Sequence, residues 1–327
     1  LAENDGRLTV LHLGDIAGTS RNVIEVADAK GLTWILRDVP AGRGTNPAVV
    51  MLRRLRDLIA VRSIRPRPSI LHINYGVSGY YGWGRRNVVL HLHGTDVRSD
   101  LHSRILGPVV RTSIKRADVV LYSTPDMAAA VKAIRADAQW FPAPLPPVAG
   151  VRLPLPEPRR GTRIFFASRW DDSKGALQLL ELASELRRDH PELELVALDW
   201  GTYAQRARNL GMRMLPHMSP DEFRAQLAAA DVVIGQLAIG ALGLSDLEAM
   251  AQARPLVARF TLDAEYGEPA PLFNTNTAPA LELVLQILAD PAAAAALGEQ
   301  GRNWALKHHG ADVLEAKLED IYAKLSA

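Results

Sequence analysis

Cysteine is absent from all 327 residues. Disulfides and thiolate metal sites are thereby excluded, and cysteine usage points to no compartment. No apolar run approaches the roughly 18 residues that a membrane-crossing helix needs. The opening residues, Leu1-Ala2-Glu3-Asn4-Asp5, carry no basic-then-apolar leader pattern. The chain is therefore expected in the cytoplasm. Asp-x-Asp occurs nowhere, and the dinucleotide fingerprint Gly-x-Gly-x-x-Gly is missing as well. No metal site is expected. What remains is ordinary for a globular protein with a large core: 48% apolar and 23% charged residues. The length suits about two domains.

A net charge of +2 hides an asymmetry. Residues 1–150 hold 20 Lys/Arg against 12 Asp/Glu, whereas residues 151–327 hold 18 against 24. A basic half suits an anionic acceptor or an anionic membrane surface better than nucleic acid, which is not expected as a partner. Attraction between the two halves, or a solvated basic face, accounts for the asymmetry equally well.

Strand patterns at Leu8–Leu13, Thr33–Leu36, Ser69–Ile73, Val88–His91 and Val119–Tyr122 alternate with helical patterns at Arg21–Lys30, Pro47–Arg62, Ile105–Arg116 and Asp126–Ile134. Such alternation predicts βαβ units and a parallel, doubly wound sheet. Seven prolines between Gln139 and Arg160 favour extended chain and predict an interdomain linker. The alternation then resumes. Strands are expected at Arg163–Ala167, Leu193–Leu198, Val232–Ile234 and Pro255–Ala258, and helices at Ala176–Asp189, Tyr203–Leu210, Pro220–Ala229 and from Leu244. Residues 291–327 read as mostly helical. The fold class is α/β, with two doubly wound, Rossmann-like domains in tandem.

The most informative stretch is 234–260. There a strand enters a glycine-bearing loop, and the helix that follows carries Glu248 one turn in. The first N–H groups of a helix lack internal partners and carry about half a positive charge, so Gly243, Leu244 and Ser245 suit a phosphate. Glu248 has the reach to accept hydrogen bonds from two vicinal hydroxyls, as a ribose presents. Upstream, Phe165–Gly175 reads Phe-Phe-Ala-Ser-Arg-Trp-Asp-Asp-Ser-Lys-Gly. Arginine grips phosphate through two parallel N–H bonds and lysine adds a mobile charge, which makes Arg169 and Lys174 candidates. The Asp171-Asp172 pair is expected to cap the helix near Ser173 rather than hold metal.

The Arg-x4-Lys-Gly segment, followed about seventy residues later by Gly-Leu-x3-Glu-Ala-Met-Ala and a Pro-Leu-Val strand, resembles family 4 retaining glycosyltransferases of the GT-B fold. The resemblance implies transfer of a hexosyl or pentosyl group from a nucleotide-diphosphate sugar to a hydroxyl on a glycan, glycolipid or small molecule. No metal or other cofactor is implied. It also implies an acceptor-binding domain (1–145), a donor-binding domain (146–305) facing it across a cleft, and a final helix (306–327) that crosses back onto the first domain.

Residues follow from the same resemblance. His91-Leu92-His93-Gly94-Thr95-Asp96 contains the family's His-Gly-Thr-Asp motif, so His93 joins Arg169 and Lys174 as a catalytic candidate. Asp96 is either a cap or a substrate contact. Gly18, in the counterpart of the family's glycine pair, is expected to let the backbone approach the donor diphosphate or the acceptor. Trp200 and His217 are expected near the nucleotide. Asn74 and Tyr75, with Tyr80, Tyr81 and Trp83, form an acceptor candidate because aromatic rings stack on sugars; packing is the simpler account.

In the Pro47–Arg62 helix, Val49, Leu52, Leu55, Leu58 and Ile59 form an apolar stripe expected to be core, leaving the arginines solvated. The sharper alternative is a membrane-surface patch. That would seat the chain on the inner membrane face, near an anionic or lipid-linked acceptor.

The chain departs from the family at one position. Most members place a Glu eight residues before the one matching Glu248, and here Gly240 stands there. Gln236 is a candidate to supply an amide instead. The departure leaves open a non-catalytic sugar-nucleotide or glycan binder. A sugar-nucleotide epimerase of the same overall fold is a further alternative, and needs carboxylate acid/base groups. Nucleotide, sugar and acceptor are not legible in the chain.

Overall fold

The computed structural model describes residues 8–40, 47–153 and 162–327. Among these, strands assemble into two six-stranded sheets. The first contains β1 (Thr9–Leu13), β2 (Thr33–Arg37), β3 (Ile70–Asn74), β4 (Val88–Leu92), β5 (Val119–Tyr122) and β6 (Gln139–Trp140), in the order β2-β1-β3-β4-β5-β6. The second contains β7 (Arg163–Phe166), β8 (Glu194–Leu198), β9 (Arg213–Leu215), β10 (Val232–Ile234), β11 (Leu256–Ala258) and β12 (Phe273–Asn274), in the order β12-β11-β10-β7-β8-β9. Every pairing is parallel. Counted from its own first strand, the second sheet runs 3-2-1-4-5-6, the doubly wound dinucleotide order. The chain divides into two compact units, Leu1–Pro147 with Ala311–Ala327, and Val148–Gly310.

Parallel strands covered on both faces read as continuous apolar runs. β3, β4 and β7 are buried at every position. In the first unit, one face of the sheet meets the Thr19–Ala29 helix and the final helix, Ala311–Ser326. Val10, Ile24, Trp34, Ile70, Leu314, Leu318 and Tyr322 share that core. Burying each of the last three stabilises the helix's seat by about 1.5–3 kcal/mol. Lys30 and Glu315 add an ion pair. In the second unit, Trp170 is buried against β7 and donates its indole N–H to the Leu198 carbonyl at 3.0 Å.

Several sequence expectations change here. β6 lies inside the expected linker, yet Leu121 pairs with Gln139 in the sheet; residues 154–161 of that linker lie outside the described residues. β9, β12 and the Ala280–Ala289 helix were not anticipated. β12, of two residues, is too short to show a period. The aromatic segment after β3 is a 3-10 helix, Gly76–Gly82, rather than an open loop. Tyr81 is buried and donates its hydroxyl to Asp57 at 2.6 Å, and Tyr80 pairs with Arg54. These rings pack within the unit instead of offering faces to a sugar.

The largest change concerns the Pro47–Arg62 helix. Val49, Leu52, Leu55 and Ile59 are exposed, not core. Of that stripe Leu58 does pack on the unit as expected, and the helix rests on it together with Val61.

Candidate functional site

Open α/β sheets bind ligands beyond the carboxyl ends of their strands, at the point where strand order reverses. In the second unit that point falls between β7 and β10. Arg169 and Lys174 follow β7, Trp200 follows β8, His217 follows β9, and the 235–243 loop follows β10. The turn after β7 and the loop after β10 are tied together, because Leu237 donates its N–H to the Lys174 carbonyl at 3.0 Å. Gly175, with φ +80°, makes the close approach. The Lys174 ammonium lies beside the start of the Leu244–Ala251 helix, 3.7 Å from where a Cβ on Gly243 would sit.

Arg169 lays its guanidinium over the Trp200 ring, 5.1 Å from the centroid, and approaches Asp171 at 3.5 Å. Asp171 does not cap the following helix as expected. Its carboxylate accepts from the Thr202 N–H at 3.0 Å. It therefore ties the post-β8 loop to the arginine instead. Trp200 stays half exposed, with the His217 ring 5.2 Å away.

The helix N-terminus is already partly engaged. Gly243 donates its N–H to Asp246 Oδ2 at 2.8 Å, so that amide does not point at a ligand as the sequence suggested. The Leu244 and Ser245 amides remain the first-turn donors. Asp246 is buried, which raises its pKa against the opposing influence of the Gly243 N–H and Lys174. Glu248 is buried two residues on, and burial pushes its pKa up to about 7, opposed by Arg224. Arg224 Nη1 stands 3.8 Å from Glu248 Oε1. Arg224 is missing from the sequence candidates. Its signal lay in the spacing, since Leu227 and Ala228 follow it at three and four residues and share its buried side of the Pro220–Ala228 helix.

Gln236 does not replace the missing glutamate. Its Nε2 donates to the carbonyls of Ala241 (3.0 Å) and Arg259 (2.7 Å), and its Oε1 accepts from the N–H groups of Ala238 and Ile239. This buried amide is the internal brace of the loop. Gly240 has φ +77°, and a Cβ there would lie 2.5 Å from Thr261 Oγ1. The glycine is built into this turn.

In the first unit the reversal falls between β1 and β3. The turn after β1 has positive φ at Gly14, Ala17 and Gly18 (+77°, +52° and +74°). Gly18 opens the Thr19–Ala29 helix. Ala17 is an exposed alanine in a left-handed conformation that suits glycine. Ala17→Gly is accordingly expected to stabilise the protein by about 1 kcal/mol, read as a higher urea midpoint with an unchanged slope.

His93 follows β4. Its Nε2 lies 2.9 Å from Asn74 Oδ1 and its Nδ1 3.1 Å from Ser123 Oγ. Burial and the neighbouring His91 ring hold its pKa well below the usual imidazole range, so it is neutral. Asn74 is buried and passes its Nδ2 hydrogen to Ser20 at 2.7 Å. With both ends engaged, Asn74 orients His93. Asp96 is buried and accepts from the N–H groups of Gly76, His93 and Gly94 at 2.8–3.1 Å, which accords with a backbone-bracing role. It clamps the motif's backbone. Tyr75 donates its hydroxyl to Asp100 at 2.7 Å. Among the described residues, no group of three His, Asp or Glu is placed to hold a metal ion.

Residues 3–164 match the family model described as a glycosyl transferase 4-like domain. This chain belongs to the family 4-like glycosyltransferases. No curated protein matches the transferase. Solved structures do. A sucrose-phosphate synthase from Thermosynechococcus elongatus is 18% identical with a TM-score of 0.70, covering 97% of this chain and 99% of that one. HepE from Anabaena, in complex with UDP and glucose, is 14% identical with a TM-score of 0.73, covering 97% and 100%. A glycosyltransferase from Rickettsia africae is 15% identical with a TM-score of 0.70, covering 98% and 99%. The glycosyltransferase shares the two-sheet GT-B fold with these structures.

Proposed function

We propose that this glycosyltransferase binds a nucleotide-diphosphate sugar on its second unit and moves the sugar to a hydroxyl acceptor with retention, without a metal ion. The observation that carries the proposal is the Lys174 ammonium beside the open end of the Leu244–Ala251 helix, one strand-end turn from Arg169. As the diphosphate leaves, negative charge grows on its oxygens. Two cations and oriented amides aimed at that charge stabilise the transition state more than the ground state. They do the neutralising that a divalent ion does elsewhere. Glu248 accepts from the ribose hydroxyls, and Trp200 and His217 supply ring faces beside the nucleotide. In the first unit the candidates are Gly18 and His93, beyond the ends of β1 and β4. His93 is held neutral, and a sugar or acceptor hydroxyl bonds to it by taking the place of Asn74 or Ser123 on one of its ring nitrogens. Retention and metal independence come from the family resemblance, and HepE's bound UDP makes UDP-sugars the first donors to try.

The test is incubation with UDP-, GDP- and ADP-sugars and a panel of hydroxyl acceptors, with products followed by proton NMR. Free nucleoside diphosphate should appear with a glycoside that keeps the donor's anomeric configuration. Isomerised nucleotide sugar without acceptor would favour the epimerase instead. Nucleotide binding with no turnover would favour a binding protein.

Glu248 adds a pH dependence. Ribose hydroxyls donate to its carboxylate, so binding favours the ionised form. Nucleotide-sugar affinity is expected to rise as pH passes upward through about 7 and then level off, measured by calorimetry. A nucleotide sugar is the right ligand, because a terminal phosphate would itself titrate near 6. Glu248→Gln should flatten the profile. Without ligand the sign is opposite. The raised pKa means the folded state prefers the protonated acid, so Glu248's contribution to stability falls as pH rises from about 4.5 through about 7.

A further inference from the structure

The exposed side of the Pro47–Arg62 helix is the strongest unassigned feature of the first unit. Met51, Leu55 and Ile59 recur every fourth residue with Leu52 alongside, so they form one stripe. Their exposures are 71%, 52%, 56% and 55%. The fold does not need this stripe, since the helix is already anchored through Leu58 and Val61. A second apolar side left in water marks a surface that is covered in use.

Charge identifies what covers it. Arg53 and Arg56 are exposed on the same helix, and Arg62 ends it. Just beyond, Arg62, Arg65 and Arg67 gather around Arg85. Burial chiefly lowers the Arg85 pKa, and repulsion from these three guanidinium groups lowers it further. The Arg62 and Arg65 side chains are steadied by backbone carbonyls, including Trp83 at 2.7 Å from Arg62 Nη2. Asp57 is the helix's one acidic residue, and it is turned inward to Arg37 and Tyr81. A second copy docked on this face would set one arginine cluster against another. Acyl chains beside phosphate headgroups instead satisfy both halves of the surface.

We infer that this face docks the protein on an anionic lipid surface, with the Met51–Ile59 stripe at the headgroup–acyl boundary and the Arg62–Arg67 and Arg85 guanidinium groups on lipid phosphates. The inference rests on the amphipathic geometry alone and stands apart from the sugar-transfer chemistry.

The experiment is cosedimentation of the full chain with vesicles of phosphatidylcholine, with and without about 30 mol% phosphatidylglycerol. Binding should be at least about tenfold tighter to the anionic vesicles and should weaken as salt rises. Met51→Ser with Leu55→Ser and Ile59→Ser should weaken it about tenfold or more, as should Arg65→Glu with Arg67→Glu. These side chains are exposed, so both variants should melt close to the parent protein. Failure to bind either vesicle, equal binding to both, or anionic binding that neither variant reduces would overturn the inference. So would light scattering that shows a dimer abolished by the serine variant.

Discussion

Lys174→Ala and Arg169→Ala are each expected to lower kcat/KM by about 10- to 100-fold or more while the protein stays folded. A charge-assisted hydrogen bond contributes about 1.5–3 kcal/mol, and each 1.4 kcal/mol is a factor of ten in rate. The upper end applies where charge develops mainly in the transition state, and the loss then falls on kcat more than on KM. Folding should be spared because the Arg169 side chain is 42% exposed and its pairing with Asp171 at 3.5 Å is a surface contact. Arg169→Lys should recover part of the rate. It keeps the charge but loses both the two-pronged grip and the packing on Trp200. Steady-state kinetics with the best donor, beside thermal melts of each variant, check the expectation. Near-normal turnover in both alanine variants would remove the diphosphate from this place.

The second large effect comes from placing at position 240 the glutamate that the family resemblance leads one to expect there. Gly240→Glu is expected to cost about 2 kcal/mol or more in stability and to leave turnover no higher than in the parent. A left-handed conformation costs a non-glycine residue about 1–2 kcal/mol, and Gly240 has φ +77°. The new Cβ would also meet Thr261 Oγ1 at 2.5 Å. The loop cannot relax cheaply, because the Gln236 amide makes four internal bonds within and beside it. Gly240→Ala should suffer most of the same loss, which separates backbone strain from the added charge. A Gly240→Glu protein that melts like the parent and turns over faster would mean that the loop accommodates a side chain at this position readily.

Much of the architecture could be read from residue order alone. Strands of four or five residues with an apolar majority, such as Ile70–Asn74 and Arg163–Phe166, announce themselves because a parallel strand covered on both faces is buried at every position. Gln139–Trp140 and Phe273–Asn274 do not, since two residues carry no period. Arg169, Lys174 and Glu248 were visible because their chemistry and loop context agree. Arg224 was not, although its spacing to Leu227 pointed inward. Asn74 and Asp96 show what a chain cannot reveal: which partners hold a polar residue, the Ser20 and His93 side chains for the first and the Gly76 and Gly94 N–H groups for the second. The Pro47–Arg62 helix shows another limit. Periodicity picks out apolar positions, but a helix with more than one apolar side does not say which of them meets the protein.

The seat of the Ala311–Ser326 helix has a consequence for synthesis. Val10, Trp34 and Ile70 emerge early from the ribosome, yet Leu314, Leu318 and Tyr322, which close over them, emerge after the whole of Val148–Gly310. The unit made first is thus the last to be completed, and its early apolar surface must wait in the open while its neighbour is being made.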